Sequence, residues 1–194
     1  MIKRSTALCD GKIIGIETIF TVKNGKQINK EPELSIYREK SRNKELFCPC
    51  ECGQNLILVA GEKNLRNQHF RLRKDTEGKE CHYLSEGETS VESKIVIKSW
   101  IEDKFHPVDI ESRVPISSIS DSSRKYELSF LSKELKLAID YCYDYINISE
   151  EKLSVLDENA NGIKIIHIVD TKNGGCNGQY PESLMKIQKR QGYC

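Results

Sequence analysis

The rhythm of apolar residues changes near residue 84. Before it, apolar positions come in short β-branched runs. Ile13-Ile14-Gly15-Ile16 and Ile19-Phe20-Thr21-Val22 lead to Asn24-Gly25, a dipeptide that favours tight hairpin turns. A short strand pair is therefore expected around 12–29. A further strand is expected from Asn55 to Ala60, stopped by Gly61, while 62–80 offers only Leu65, Phe70 and Leu72 for burial. Beyond residue 84, Val91, Ile95, Ile97, Trp100, Ile101 and Phe105 recur with a helical period, with Ser85 or Thr89 as cap and Pro107 as stop. Three strands should follow, at 108–116, 124–131 and 135–145. Next comes a helix over 149–161, with Leu153 and Leu156 inward and Asn161-Gly162 at its end. The nearly continuous apolar run over 163–169 reads as a buried strand. A Gly-rich loop and a short helix over 181–190 complete the chain. The order predicts an α/β fold: a mixed sheet flanked by helices, its last strand joined by a helical crossover, behind a β-rich N-terminal module. The expected domains are 1–83 and 84–194.

Composition narrows the class. With 38% hydrophobic and 30% charged residues among 194, the chain can bury a core, or two small ones. No apolar run approaches membrane-spanning length, and no secretory leader is evident, so no membrane role and a cytoplasmic home are expected. In a reducing compartment, eight cysteines read better as metal ligands or buried thiols than as disulfides. The formal charge of +1 is divided unevenly: residues 1–82 carry 16 Lys and Arg against 11 Asp and Glu, and residues 83–194 carry 14 against 18. A basic front half suits a polyanionic partner, although solvated surface charge gives the same imbalance.

Phe47-Cys48-Pro49-Cys50-Glu51-Cys52-Gly53 is the densest chemical signal. Thiolates a few residues apart on a turn form half of a tetrahedral zinc site, and His69 and Cys81 are placed to supply the rest. Cys48 with Cys52 leaves the usual three residues between ligands. Cys48 with Cys50 leaves one, which strains the chelate. The expected ligands are thus Cys48, Cys52, His69 and Cys81, with Cys50 a spare thiol and His82 a rival to Cys81. Four protein ligands leave no open position, so the zinc would be structural.

The succession of Gly11-Lys12-Ile13-Ile14, Phe47-Cys48-Pro49, Gln68-His69-Phe70, a Glu-bearing helix reaching Trp100, Leu137-Ala138-Ile139-Asp140 and Ile165-Ile166-His167-Ile168 resembles the competence protein CoiA-like family. The likeness runs over roughly residues 7–170. It implies an N-terminal Cys/His zinc element joined to a restriction-endonuclease-like core of the PD-(D/E)XK type, hydrolysing phosphodiesters with Mg²⁺ or Mn²⁺ held by acids. Carried over to this chain, the helix acid is Glu88 or Glu92, the second-strand acid Glu127 and the third-strand acid Asp140. Cys142 stands where that family has Lys or Gln. Glu134-Leu135-Lys136 offers another register, and Lys125 could serve from the neighbouring strand. The same acids could also be ordinary polar positions on a half-buried sheet, and Cys142 a small core residue.

Lys63, Arg66, Arg71, Arg73 and Lys74 surround His69 and Phe70 and could neutralise phosphates if zinc fixes that segment. Tyr141, Tyr143 and Tyr145 alternate onto one strand face and suit packing better than base stacking. The loop over 173–178 lacks a phosphate-loop ending. Three functions remain: a metal-dependent nuclease acting on DNA, a nucleic-acid-binding relative with a decayed site, or a zinc-stabilised factor that binds a protein partner or a second copy.

Overall fold

Left-handed turn residues set the N-terminal hairpins. Asp10 and Gly11 take φ of 50° and 74°, and Asn24 and Gly25 take 53° and 71°, the geometry that two-residue hairpins need. The first turn joins β1 (Thr6–Cys9) to β2 (Lys12–Gly15). One helical turn, α1 (Ile16–Ile19), then leads to β3 (Phe20–Lys23) and β4 (Lys26–Asn29), joined by the second turn. The computed structural model describes residues 4–50, 52–60, 68–73, 81, 86–106, 108–123, 125–142, 149–169, 185 and 189, and the chain divides into two compact units, 1–106 and 107–194. The architecture is mixed α/β, with small sheets and four helices among the described residues. No described helix is long and apolar enough to cross a membrane.

In the first unit, α2 (Glu31–Arg42) follows β4. Pro32 and two acids open it, and Lys40 and Arg42 close it, in keeping with the helix dipole. A third hairpin pairs β5 (Leu56–Val59) with β6 (His69–Leu72). Backbone bonds between Leu8 and Phe47 (2.8 and 2.9 Å) and between Arg4 and Phe70 (2.9 and 2.8 Å) tie the first hairpin to the third. Ala7, Ile16, Ile19, Phe20, Leu34, Leu46, Leu56 and Phe70 fill the core between them.

Helix α3 (Glu88–Lys104) packs on this core through Val91 and Ile95. Ser99 Oγ bonds Val22 O at 2.9 Å, and Lys30 Nζ meets Glu102 at 2.7 Å. These contacts place α3 in the first unit, so the boundary falls at 106/107 where the sequence suggested 83/84. Gly87 is the N-cap, without a side-chain bond, in place of the expected Ser85 or Thr89; Ser85 lies outside the described residues.

The second unit is built on one four-stranded sheet in the order β10-β9-β8-β7. Strands β7 (Glu111–Ser117), β8 (Lys125–Ser132) and β9 (Leu137–Cys142) form an antiparallel meander. Helix α4 (Glu150–Asn159) then crosses over to β10 (Lys164–Val169), which runs parallel to β9. Ser149 caps α4 by accepting the Lys152 N–H at 3.0 Å, and Asn161 and Gly162 end it at φ 42° and 78°. Leu153, Val155 and Leu156 bury against Ile116, Leu128, Leu131, Ala138 and Cys142. The short helix expected over 181–190 falls almost wholly outside the described residues.

Candidate metal centre

The cysteine loop is shaped by its flanks. Leu56 N bonds Leu46 O at 2.8 Å and Cys48 N bonds Gln54 O at 2.9 Å, so 46–48 lies against 54–56 and the residues between must reverse. Gly53, at φ 73°, permits that reversal. Cys48, Cys50 and Cys52 turn their sulfurs together, and Cys81 joins them, all four within 4.8 Å of one another. Cys48 and Cys50 are 3.3 Å apart, Cys50 and Cys81 3.4 Å, and Cys48 and Cys81 3.6 Å. Those separations are far beyond the roughly 2.05 Å of a disulfide. They approach the roughly 3.8 Å between sulfurs that a tetrahedral ion with 2.3 Å bonds would impose. Burial pushes the Cys48 thiol up to about 12 and raises that of Cys52. Without an ion those two thiols therefore hold their protons, and a metal must displace them. Four sulfurs in this arrangement fit a thiophilic, tetrahedral ion such as zinc.

The ligand set differs from expectation in one position. Cys50, expected to be spare, supplies a sulfur, and His69 does not. The two-residue step from Cys48 to Cys50 is accommodated because the loop curls: the Cys50 backbone N–H donates to the Cys48 sulfur. His69 is excluded by strand alternation. Its neighbour Phe70 points into the core that contains the cysteines, so His69 takes the other face of β6. There it lines a pocket with Arg4, Ser5, Gln27, Gln68 and Glu92. His82 lies outside the described residues.

The carboxylates assigned to catalysis do not assemble as the sequence suggested. Glu92 is exposed at the pocket beside His69, in the first unit. Glu88 opens α3, and its side chain lies outside the described part. In the second unit, Tyr126 and Leu128 pack in the cluster under α4 with Ala138 and Cys142. Glu127, between them on β8, therefore takes the opposite face, where it meets Arg113 at 3.5 Å. Asp140 points the other way. Glu127 and Asp140 do not share an ion. Among the described residues, the one group of three or more His, Cys, Asp or Glu donors close enough to hold a metal is the cysteine cluster. Glu134 and Lys136 sit in the turn between β8 and β9, and the Lys125 side chain is outside the described part.

Asp140 is instead saturated by neighbours. It is 1% exposed. Lys152, in the first turn of α4, donates to Oδ1 at 2.7 Å. His167, its register partner on β10, places Nδ1 3.2 Å from Oδ2, and Cys142 Sγ lies 3.4 Å from the same oxygen. Lys152 Nζ also reaches Cys142 Sγ at 3.5 Å. Burial alone pushes the Asp140 carboxyl up, but the His167 hydrogen bond and the Lys152 ammonium outweigh it and hold the acid below its ordinary range. Burial, then the nearby carboxylate, raises the Cys142 thiol to about 11. Lys152 and His167 carried no role in the sequence. The one available signal was the Ser149 cap, which puts Lys152 on the first turn of the helix that crosses β9.

Of the basic residues, Lys63, Arg66 and Lys74 lie outside the described part. Arg71 follows His69 on the outward face of β6, and Arg73 reaches back to Ser41 O. Tyr141 is buried, as packing requires, while Tyr143 and Tyr145 are outside the described residues. No family model matches the chain, and neither a curated protein nor a solved structure matches it.

Proposed function

We propose that this chain is a nucleic-acid-binding protein whose N-terminal unit is stapled by a structural zinc ion on Cys48, Cys50, Cys52 and Cys81. Its C-terminal unit would be a nuclease-like scaffold whose hydrolytic pair is not assembled. One observation carries the choice of binding over cleavage: both oxygens of Asp140 are engaged by Lys152 and His167, while Glu127 leaves on the other face of the sheet. A carboxylate compensated in this way has little charge left for a hard cation. A meander followed by a helical crossover to a parallel fourth strand supports a restriction-endonuclease-like core. The excess of Lys and Arg in residues 1–82 supports a polyanionic partner, DNA in the first instance.

Zinc-loaded full chain titrated with single- and double-stranded DNA across a salt series tests this. Binding should weaken steadily as salt rises, and neither strand should be cut in Mg²⁺ or Mn²⁺. If no nucleic acid binds in a salt-dependent way, the proposal fails and a zinc-stabilised protein-interaction factor remains. Retained hydrolysis has one observation in its favour: Lys152 brings to Cys142 the amine that β9 lacks. It requires cleavage dependent on Mg²⁺ or Mn²⁺ that Asp140→Ala abolishes.

A further inference from the structure

We infer that Arg4 is the counter-cation of the four-cysteine centre, a positioning residue that stabilises the metal-bound thiolates and slows loss of the ion. This rests on the zinc-binding proposal above and extends it to a residue far from all four cysteines in sequence. Arg4 is 1% exposed, and its Nη2 donates to Cys81 Sγ at 3.1 Å. Its backbone is pinned by the reciprocal pair of bonds to Phe70. The side chain is therefore delivered to the sulfurs by the same strand pairing that builds the core, and does not hang from a loose terminus.

Charge explains why it should matter. A guanidinium stays protonated in proteins, and burying a cation is costly unless an anion compensates it. Neutral thiols are weak acceptors. Four thiolates around a divalent ion carry a net charge of two minus, and Arg4 offsets one of those charges while donating to a sulfur. The two buried charges thus stabilise each other: the loaded centre places negative charge beside Arg4, and Arg4 offsets part of that charge. The hydrogen bond also withdraws electron density from Cys81, making that sulfur a poorer base and a poorer nucleophile, so protons and electrophiles displace the metal more slowly. Partners of this kind typically change metal affinity by about 10- to 100-fold when removed.

The test uses the full chain loaded with Zn²⁺ or Co²⁺, as wild type, Arg4→Met and Arg4→Lys. Zinc transfer to a chromogenic chelator should be at least about tenfold faster in Arg4→Met, with Arg4→Lys between the two. The sulfur-to-cobalt charge-transfer band should move to lower energy in Arg4→Met, because thiolates without the cation donate more strongly. Should Arg4→Met fail to fold, the Arg4→Lys band and release rate still decide the matter, and both must differ from wild type. If wild type takes up neither ion at one per chain, the zinc proposal itself falls. If wild type binds metal but both variants match its release rate and band, only the role of Arg4 is overturned. Equal metal loss in both variants with an unmoved band means Arg4 merely holds the fold, and that also overturns it.

Discussion

Replacing Lys152 by Met keeps the aliphatic length of the side chain and removes the ammonium that sits 2.7 Å from Asp140. Side-chain exposures of 16% for Lys152 and 1% for Asp140 place the pair well inside the second unit. Breaking one side of a buried ion pair strands the other charge, which costs about 3–5 kcal/mol, against at most about 1 kcal/mol for an exposed pair. His167 remains beside Asp140 in the variant, so the loss should lie near the lower figure. The pH dependence has a definite sign. Asp140 is held below its ordinary range in the wild type, so its contribution is present above the unfolded carboxyl range and fades as pH falls through the folded value. In Lys152→Met the acid loses a cation and moves up. The stability gap between the proteins should be widest near neutrality and shrink on acidification, as Asp140 becomes protonated in both. Urea unfolding of wild type, Lys152→Met, Asp140→Asn and the double variant at several pH values measures the gap and its coupling. A gap below about 1 kcal/mol that does not vary with pH would show the pair to be ordinary surface charge and remove the ground for calling Asp140 compensated.

Further predictions follow from the metal centre and the first unit. Cys50→Ser should lose tight zinc binding as fully as Cys48→Ser, while His69→Gln retains one ion per chain; metal analysis after dialysis decides between this ligand set and the one with histidine. Because burial raises the Cys48 thiol to about 12, zinc uptake near neutrality should release protons, and apparent affinity should rise with pH; calorimetry in buffers of different ionisation enthalpy reads the proton count. Gly15→Ala drives a Cβ into the carboxylate of Glu17, whose side chain is fully buried. Overpacking of this kind costs about 1–3 kcal/mol, so the variant should unfold earlier in urea with an unchanged slope.

Elements with strong periodic signals were legible in the sequence, and contacts between them were not. The Asn24-Gly25 hairpin, α3, the three-strand meander, α4 and β10 all follow from β-branched runs, helical spacing and turn dipeptides. Helix α2 was missed because its apolar side is thin: Leu34 is its one fully buried apolar residue, and the dipole-matched charges at its ends were the better signal. At the cysteine cluster the spacing identified a metal site and three of its sulfurs but left Cys50 out, since chelate strain depends on how the loop curls, which one-dimensional spacing does not encode. His69 was misassigned because strand phase sets its direction. Glu127 and Asp140 failed for a similar reason: two acids on adjacent strands are neighbours only if their faces agree. Lys152 needed knowledge of where α4 crosses the sheet.

Three of the four sulfurs come from one five-residue stretch, and the fourth is separated from Cys50 by 31 positions. An ion gripping both parts therefore works as a removable cross-link across the β5–β6 hairpin. By the chain-entropy relation used for disulfides, closing a loop of that length restricts the unfolded chain by roughly 3–4 kcal/mol. During synthesis the three-thiol cup is complete long before Cys81 emerges, so metal can be captured early and the hairpin sealed late. Chelation should undo these events in reverse, releasing the Cys81 end first and leaving the cup as the last holder of the ion.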